Sequence, residues 1–394
     1  MIDYEKVLSS TVRDMKPSGI RRFFDIANTM EGVISLGVGE PDFRTPWQVR
    51  SAGIRSLQTK GTRYTSNLGL IELRREIASY VGRKYSADYE AESEVLVTVG
   101  GSEAIDVTIR ALTNPGDEII IPQPSYVCYE PMTRLAGGVP VIINTRAEND
   151  FKLTPEELRA AITPKTKALI LPYPCNPTGA IMERSDLEAI AEVLRDTNII
   201  VISDEIYAEL TFGGERHVSI ASIEGMKERA VLINGFSKAF SMTGWRLGYA
   251  CGPAPLLKEI MKIHQYAIMC APTTSQHAAI EALRSCDGDV EKMREEYDTR
   301  RKLIVKGFND LGLTCREPRG AFYAFPCIRS TGLSSEEFCE RLLYSKRVAL
   351  VPGGAFGESG EGFVRASYCY SLLHIEEALR RIGEFLEELR AECK

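Results

Sequence analysis

The chain has 394 residues, 44% of them hydrophobic, and a formal net charge of -6. That length is too great for one ordinary core and suits two domains, or one large α/β domain with a smaller partner. The acidic balance, with no basic run or stripe, argues against nucleic-acid binding. The ten cysteines form no Cys-x-x-Cys pair and no zinc spacing with histidine, so they read as small buried hydrophobes in a reducing compartment and no metal site is expected. The charged N-terminal stretch, and the lack of an apolar run as long as a bilayer is thick, predict a cytoplasmic protein without membrane association.

In chain order, residues 1–45 carry a short amphipathic stretch at Ser18–Met30 and then the run Gly37-Val-Gly-Glu-Pro-Asp-Phe43. Gly37 and Gly39 look like the start of a dinucleotide fingerprint, but the third glycine is missing and Pro41 stands where a helix should open. Over residues 46–287, amphipathic helices alternate with continuous apolar runs. These runs are Val95–Val99, Glu118–Ile121, Val139–Ile143, Ala168–Leu171, Ile199–Ser203, Val231–Ile233 and Leu247–Cys251. Strands buried on both faces look like that, so the pattern predicts an α/β domain with a mostly parallel seven-stranded sheet under helices. Thr154 and Ser185 each stand three residues before a Glu, which predicts a capping box at two helix starts. Residues 288–394 form a smaller α+β domain, to which 1–45 contributes. It has a long helix over about Asp289–Leu311, strand-like Ala321–Phe325 and Val348–Val351, and a last helix over about Leu372–Cys393.

Ligands of such sheets sit beyond the carboxyl ends of the strands. After the first run, Gly101 and Ser102 open a helix whose free N–H groups suit an anion such as phosphate, although Ser102 also reads as an ordinary N-cap. Tyr126 follows the second run and either stacks on a flat ring or packs on its neighbours. Asp204 ends the fifth, as a functional carboxylate or a cap. Lys238 is the one lysine inside an apolar run; desolvation lowers its pKa toward the free amine that Schiff-base chemistry needs, unless it snorkels to the surface. Eight residues on, Arg246 offers a fork suited to phosphate, and Ser237, Ser241, Thr243 and Gly244 let backbone come close. A reactive lysine with an anchoring arginine fits a phosphorylated aldehyde. Arg365 stands alone in an apolar strand and must meet an anion, from a ligand or from an internal Asp or Glu.

The run Ser237-Lys-Ala-Phe-Ser-Met-Thr-Gly-Trp-Arg-Leu-Gly248, with Asn176-Pro-Thr-Gly179 and Asp204-Glu-Ile-Tyr207, resembles the signature of class I pyridoxal-phosphate (PLP) aminotransferases of fold type I. The resemblance runs from Gly39 to Arg365 and implies a ping-pong transfer of an amino group from an amino acid to a 2-oxo acid. It makes Lys238 the Schiff-base lysine and base, and Asp204 the partner that keeps the pyridine nitrogen protonated. Asn176 and Tyr207 reach the phenolate oxygen, Tyr126 stacks on the ring, and Gly101, Ser102, Ser237 and Arg246 surround the phosphate. Arg365, with Asn176 and the backbone near Gly39, takes the substrate α-carboxylate. The family's tyrosine at Tyr64 crosses to the phosphate of the neighbouring subunit, which implies a homodimer.

Within the class, Ser18–Phe24, His264–Pro272 and Val351–Gly357 look most like the bacterial N-acetyl-diaminopimelate aminotransferases of lysine synthesis. Relatives specific for aspartate often carry a Lys where this chain has Ser102, and some an indole where it has Tyr126. In the resembling family the Ser18–Phe24 segment moves as a lid, so Arg21 or Arg22 is expected to reach a distal carboxylate, unless both pair with Asp25 and Glu31. The alternatives are an aspartate or aromatic aminotransferase and a β-eliminating C–S lyase. More remote is an α/β-hydrolase, built on the imperfect elbow Gly235-Phe-Ser237 with Asp310 and His374.

Overall fold

The structure is a computed structural model that describes residues 2–15, 17, 19, 29–59, 62–214 and 216–392. The seven apolar runs become strands β2 Val95–Thr98, β3 Glu118–Gln123, β4 Val139–Asn144, β5 Thr166–Leu171, β6 Ile200–Asp204, β7 Ala230–Gly235 and β8 Gly248–Cys251. They make one sheet in the order β2-β8-β7-β6-β5-β3-β4. Every residue of β2, β7 and β8 is buried, as expected of strands covered by helices on both faces.

Only β8 runs against its neighbours, β2 and β7. The other strands are parallel, so their carboxyl ends share one edge of the sheet, and the loop that enters β8 arrives at that same edge. This geometry brings Arg246 beside residues that follow the other strands.

A second, smaller assembly faces that edge. Strand β1 (Ile34–Ser35) pairs in parallel with β10 (Val348–Ala349), and β11 (Val351–Pro352), β12 (Val364–Ser367) and β9 (Tyr323–Ala324) form a three-stranded antiparallel sheet in the order β11-β12-β9. The long helices Asp287–Asp310 and Leu372–Glu392 pack beside it. The apolar run Val348–Val351 therefore serves two sheets rather than forming one strand, with Leu350 between the two pairings.

The capping box at Thr154 forms as expected: its side chain accepts from Glu157 N, and Glu157 returns the bond to Thr154 N. The one expected at Ser185 does not. That helix starts earlier, at Arg184, because Glu183 and Asp186 form a reciprocal box of their own, each side chain accepting from the other's backbone N–H, and leave Ser185 inside the first turn. Among the described residues, no helix is long and apolar enough to cross a membrane.

Candidate active site

The strand ends enclose a cavity of about 480 Å³. Its lining includes Gly39, Gly101, Ser102, Tyr126, Asn176, Asp204, Tyr207, Ser237, Lys238, Arg246 and Arg365. Of the residues singled out in the sequence, Tyr64 and Ser241 do not line it, and Arg21 and Arg22 lie outside the described residues, as does most of the Ser18–Phe24 segment.

One end of the cavity is an anion cradle. Helix Gly101–Leu112 starts there with Gly100 as N-cap, so Ser102 is not the cap and stands in the first turn, where N–H groups have no acceptor within the helix. Gly100 holds φ +81°, and a Cβ there would come within 2.8 Å of an Arg246 guanidinium nitrogen. The positive φ favours glycine, and a side chain there would also push the Arg246 guanidinium out of the cradle. Arg246 itself holds φ +50°, an uncommon backbone for a residue with a side chain, and its Nη1 donates to Thr243 O at 3.0 Å.

Asp204, the last residue of β6, is 7% exposed. Its carboxylate accepts from Tyr129 Oη at 2.7 Å and from Ile206 N at 3.2 Å, so it takes part of the capping role and still lines the cavity. Burial raises its pKa above the ordinary carboxylate value, and the bonds from Tyr129 and Ile206 draw it partly back. A cation set against it inside the cavity would reverse the shift.

Lys238 follows β7 and donates from Nζ to Gly39 O at 2.7 Å, between the rings of Tyr207 and Phe322 at 5.9 and 5.7 Å. Burial lowers its pKa to about 8 from the usual 10.5. It does not snorkel; its ammonium is turned inward, where a free amine becomes accessible near neutral pH.

Arg365 on β12 is 3% exposed and lies 4.4 Å over the Tyr323 ring and 4.9 Å from that of Phe356. It donates from Nη1 to Asn176 Oδ1 at 2.8 Å and from Nη2 to Gly37 O, while Nε is buried without a partner. Among the described residues no carboxylate pairs with it, so the internal salt bridge is absent and the charge remains for a ligand. Engagement of Asn176 Oδ1 also fixes the amide orientation and leaves Nδ2 as the atom able to donate into the cavity.

Two site residues were missed in the sequence. Tyr129 stands three residues after Tyr126 at the start of a helix, and its spacing from the strand end was the available signal. Tyr323 bonds to Tyr207, Oη to Oη, at 2.8 Å, and nothing local in Ala321–Phe325 marks it. The hydrolase constellation is not assembled: Asp310 pairs with Lys306, His374 with Ser371, and neither lines the cavity with Ser237. Among the described residues, no group of three or more His, Cys, Asp or Glu could hold a metal ion.

These residues fit PLP in kind: an anion cradle, an inward lysine, and a buried carboxylate for a ring nitrogen. The architecture is that of fold type I enzymes. The family model "Aminotransferase class I and II" matches residues 31–382, and the chain belongs to that family of PLP-dependent aminotransferases. The chain is 53% identical to the provisionally named aminotransferase YugH of Bacillus subtilis (strain 168), with 97% of this chain and 98% of that one covered. It is 42% identical to a protein of the same strain named a probable N-acetyl-LL-diaminopimelate aminotransferase, covering 98% and 97%. Among solved structures it superposes on the aspartate aminotransferase from Thermus thermophilus with maleate at a TM-score of 0.91, with 38% identity over 96% of this chain and 99% of that one.

Proposed function

We propose that this aminotransferase takes its amino group from N-acetyl-LL-diaminopimelate, or a related long amino acid, and passes it to 2-oxoglutarate. When bound, PLP supplies an aldehyde for the amine and a protonated ring that accepts electrons. Gly101, Ser102, Ser237 and Arg246 bind its phosphate, and Tyr126 stacks on the ring. Asp204 holds the proton on the ring nitrogen, while Asn176 Nδ2 and Tyr207 Oη hold the phenolate oxygen. Arg365 would grip the substrate α-carboxylate beside Gly39, and Lys238 Nζ would hold the cofactor aldehyde and, as a free amine, serve as the base for the α-proton.

The observation that carries the donor class is the cation inventory of the cavity. Among the described residues that line it, the cations are Lys238, Arg246 and Arg365. The base, the phosphate and the α-carboxylate use all three, and the position that could have added a fourth is Ser102. A distal carboxylate then falls to Arg21 or Arg22. The test is kcat/KM for a panel of amino donors with 2-oxoglutarate, for wild type and for Arg21→Ala and Arg22→Ala. A selective loss of about tenfold or more on dicarboxylic donors with one variant supports the reading. Equal losses on neutral donors, or none, would sink it. Similarity to an aspartate aminotransferase supports the second reading, which wild-type preference for aspartate in the same panel would establish.

The same reading includes a homodimer, a smaller domain made of residues 1–45 and 288–394, and a cytoplasmic setting. The β1–β10 pairing supports the domain assignment, and the nine described cysteines, all free, suit a reducing compartment. Tyr64 is 79% exposed although its loop is pinned on both sides, by Thr273 to Arg63 O and by Gln276 to Thr65. A rigidly held tyrosine outside its own cavity supports a role in the neighbouring subunit. Mixing Tyr64→Phe with Lys238→Ala chains should recover activity in the heterodimer; merely additive residual activity would place Tyr64 in its own subunit.

A further inference from the structure

We propose that Tyr323 is a positioning residue whose hydroxyl directs the single proton of Tyr207 into the cavity. The inference rests on the reading above in one respect, the assignment of Tyr207 Oη to the cofactor phenolate oxygen. A phenol has one proton to donate and two lone pairs. Tyr323 Oη lies 2.8 Å from Tyr207 Oη, and that is its one hydrogen-bond partner among the described residues. Both rings are buried, and an unpaired buried donor is costly.

The two hydroxyls are not equivalent. Tyr323 Oη is pressed against the backbone of Gly39, where an added Cβ would come within 2.0 Å of it, and although Tyr323 also lines the cavity it is Tyr207 that the reading above sets against the phenolate oxygen. Tyr207 faces the cavity, where the phenolate oxygen would accept. If Tyr207 donated to Tyr323, its one proton would be taken up there and the cofactor oxygen would lose a donor. With Tyr323 donating to Tyr207 and Tyr207 donating inward, both protons are used, and the chain of bonds strengthens the inner one. The charged and titratable groups around the pair are Arg365, Cys369, Lys238 and Tyr126, and none of them is hydrogen-bonded to Tyr323.

The ring of Tyr323 has a separate task. Its face carries the Arg365 guanidinium at 4.4 Å, so one side chain links the group that holds the cofactor oxygen to the group that awaits the substrate carboxylate.

Hydroxyl and ring can be separated in the PLP-loaded protein by following the pH midpoint of the visible absorption band, a property of the bound cofactor independent of turnover. A phenolate oxygen deprived of a strong donor holds its neighbouring proton more tightly. Tyr323→Phe should therefore raise the midpoint by about half a pH unit, Tyr207→Phe should raise it further, and the double variant should match Tyr207→Phe alone. Because the ring remains, Tyr323→Phe should leave KM for amino donors within about twofold, whereas Tyr323→Leu should raise KM for every donor. A wild-type midpoint in Tyr323→Phe overturns the proposal. So does a double variant whose shift equals the sum of the single shifts, because Tyr323 would then act without Tyr207. A normal band in wild type with an unmoved midpoint in Tyr207→Phe overturns the assignment of Tyr207, and this inference with it.

Discussion

The two sides of the cavity are held in different ways. On the sheet side, Gly101, Ser102, Tyr126, Asn176, Asp204 and Lys238 each lie at, or within a few residues of, the carboxyl end of a parallel strand, so the ladder of the large sheet sets their positions. On the facing side, Gly39, Tyr323 and Arg365 come from separate segments and meet through contacts distant in sequence. Arg365 reaches Asn176 across 189 residues and Gly37 across 328. The proposed cofactor half is thus a property of one edge of one sheet. The proposed carboxylate half exists only while β9, β12 and the Gly37–Gly39 backbone are closed onto that edge.

The largest effect expected from breaking this arrangement is on the sheet side. Lys238→Ala should lower kcat by about a thousandfold or more, since the residue proposed to move the α-proton is gone. The protein should still fold and keep PLP through Arg246 and the Gly101 and Ser102 amides, with an altered visible band. An active, spectrally normal Ala variant would remove Lys238 from the reaction.

Arg365→Leu probes the facing side and should be smaller and differently distributed. Every amino donor shares the α-carboxylate, so loss of a charge-assisted pair should cost ~2–3 kcal/mol, roughly 30- to 150-fold in kcat/KM, on neutral and acidic donors alike. The cofactor band should be nearly unchanged. If cofactor affinity falls in step with donor affinity, the two sides do not act separately.

The same contrast explains what could be read in the sequence. The seven strands were legible because both faces are buried and each run is continuously apolar. Lys238, Asp204 and Asn176 were legible because they follow those runs directly. Tyr323 was not, because its importance comes from three partners, Gly39, Tyr207 and Arg365, that only tertiary packing brings together. Tyr129 sits in a helix start and gains its role from a carboxylate 75 residues away. Val348–Val351 read as one strand because periodicity cannot show where a chain changes partners, and Ser185 read as a cap because hydroxyl caps are commoner than the Glu183–Asp186 pair that took its place.

The smallest effect expected is a change in stability with pH, and it tests the burial of Lys238 without any chemistry. In the cofactor-free protein the amine has a pKa of about 8, against 10.5 when unfolded. Between these values the unfolded chain binds more protons than the native one, so this residue makes stability rise as pH increases through that window. Other groups act oppositely. Buried cysteines such as Cys315 and Cys369, raised to about 12, lose their protons more readily when unfolded and lower stability above pH 9. The total curve therefore hides the lysine. The difference between wild type and Lys238→Met, in which the cysteines cancel, isolates it. Denaturant midpoints measured from pH 7 to 9.5 should show wild type gaining on the variant as pH rises. A constant difference would mean that Lys238 titrates like a solvated amine, and that the inward lysine of the sheet side is less desolvated than its contacts with Gly39, Tyr207 and Phe322 require.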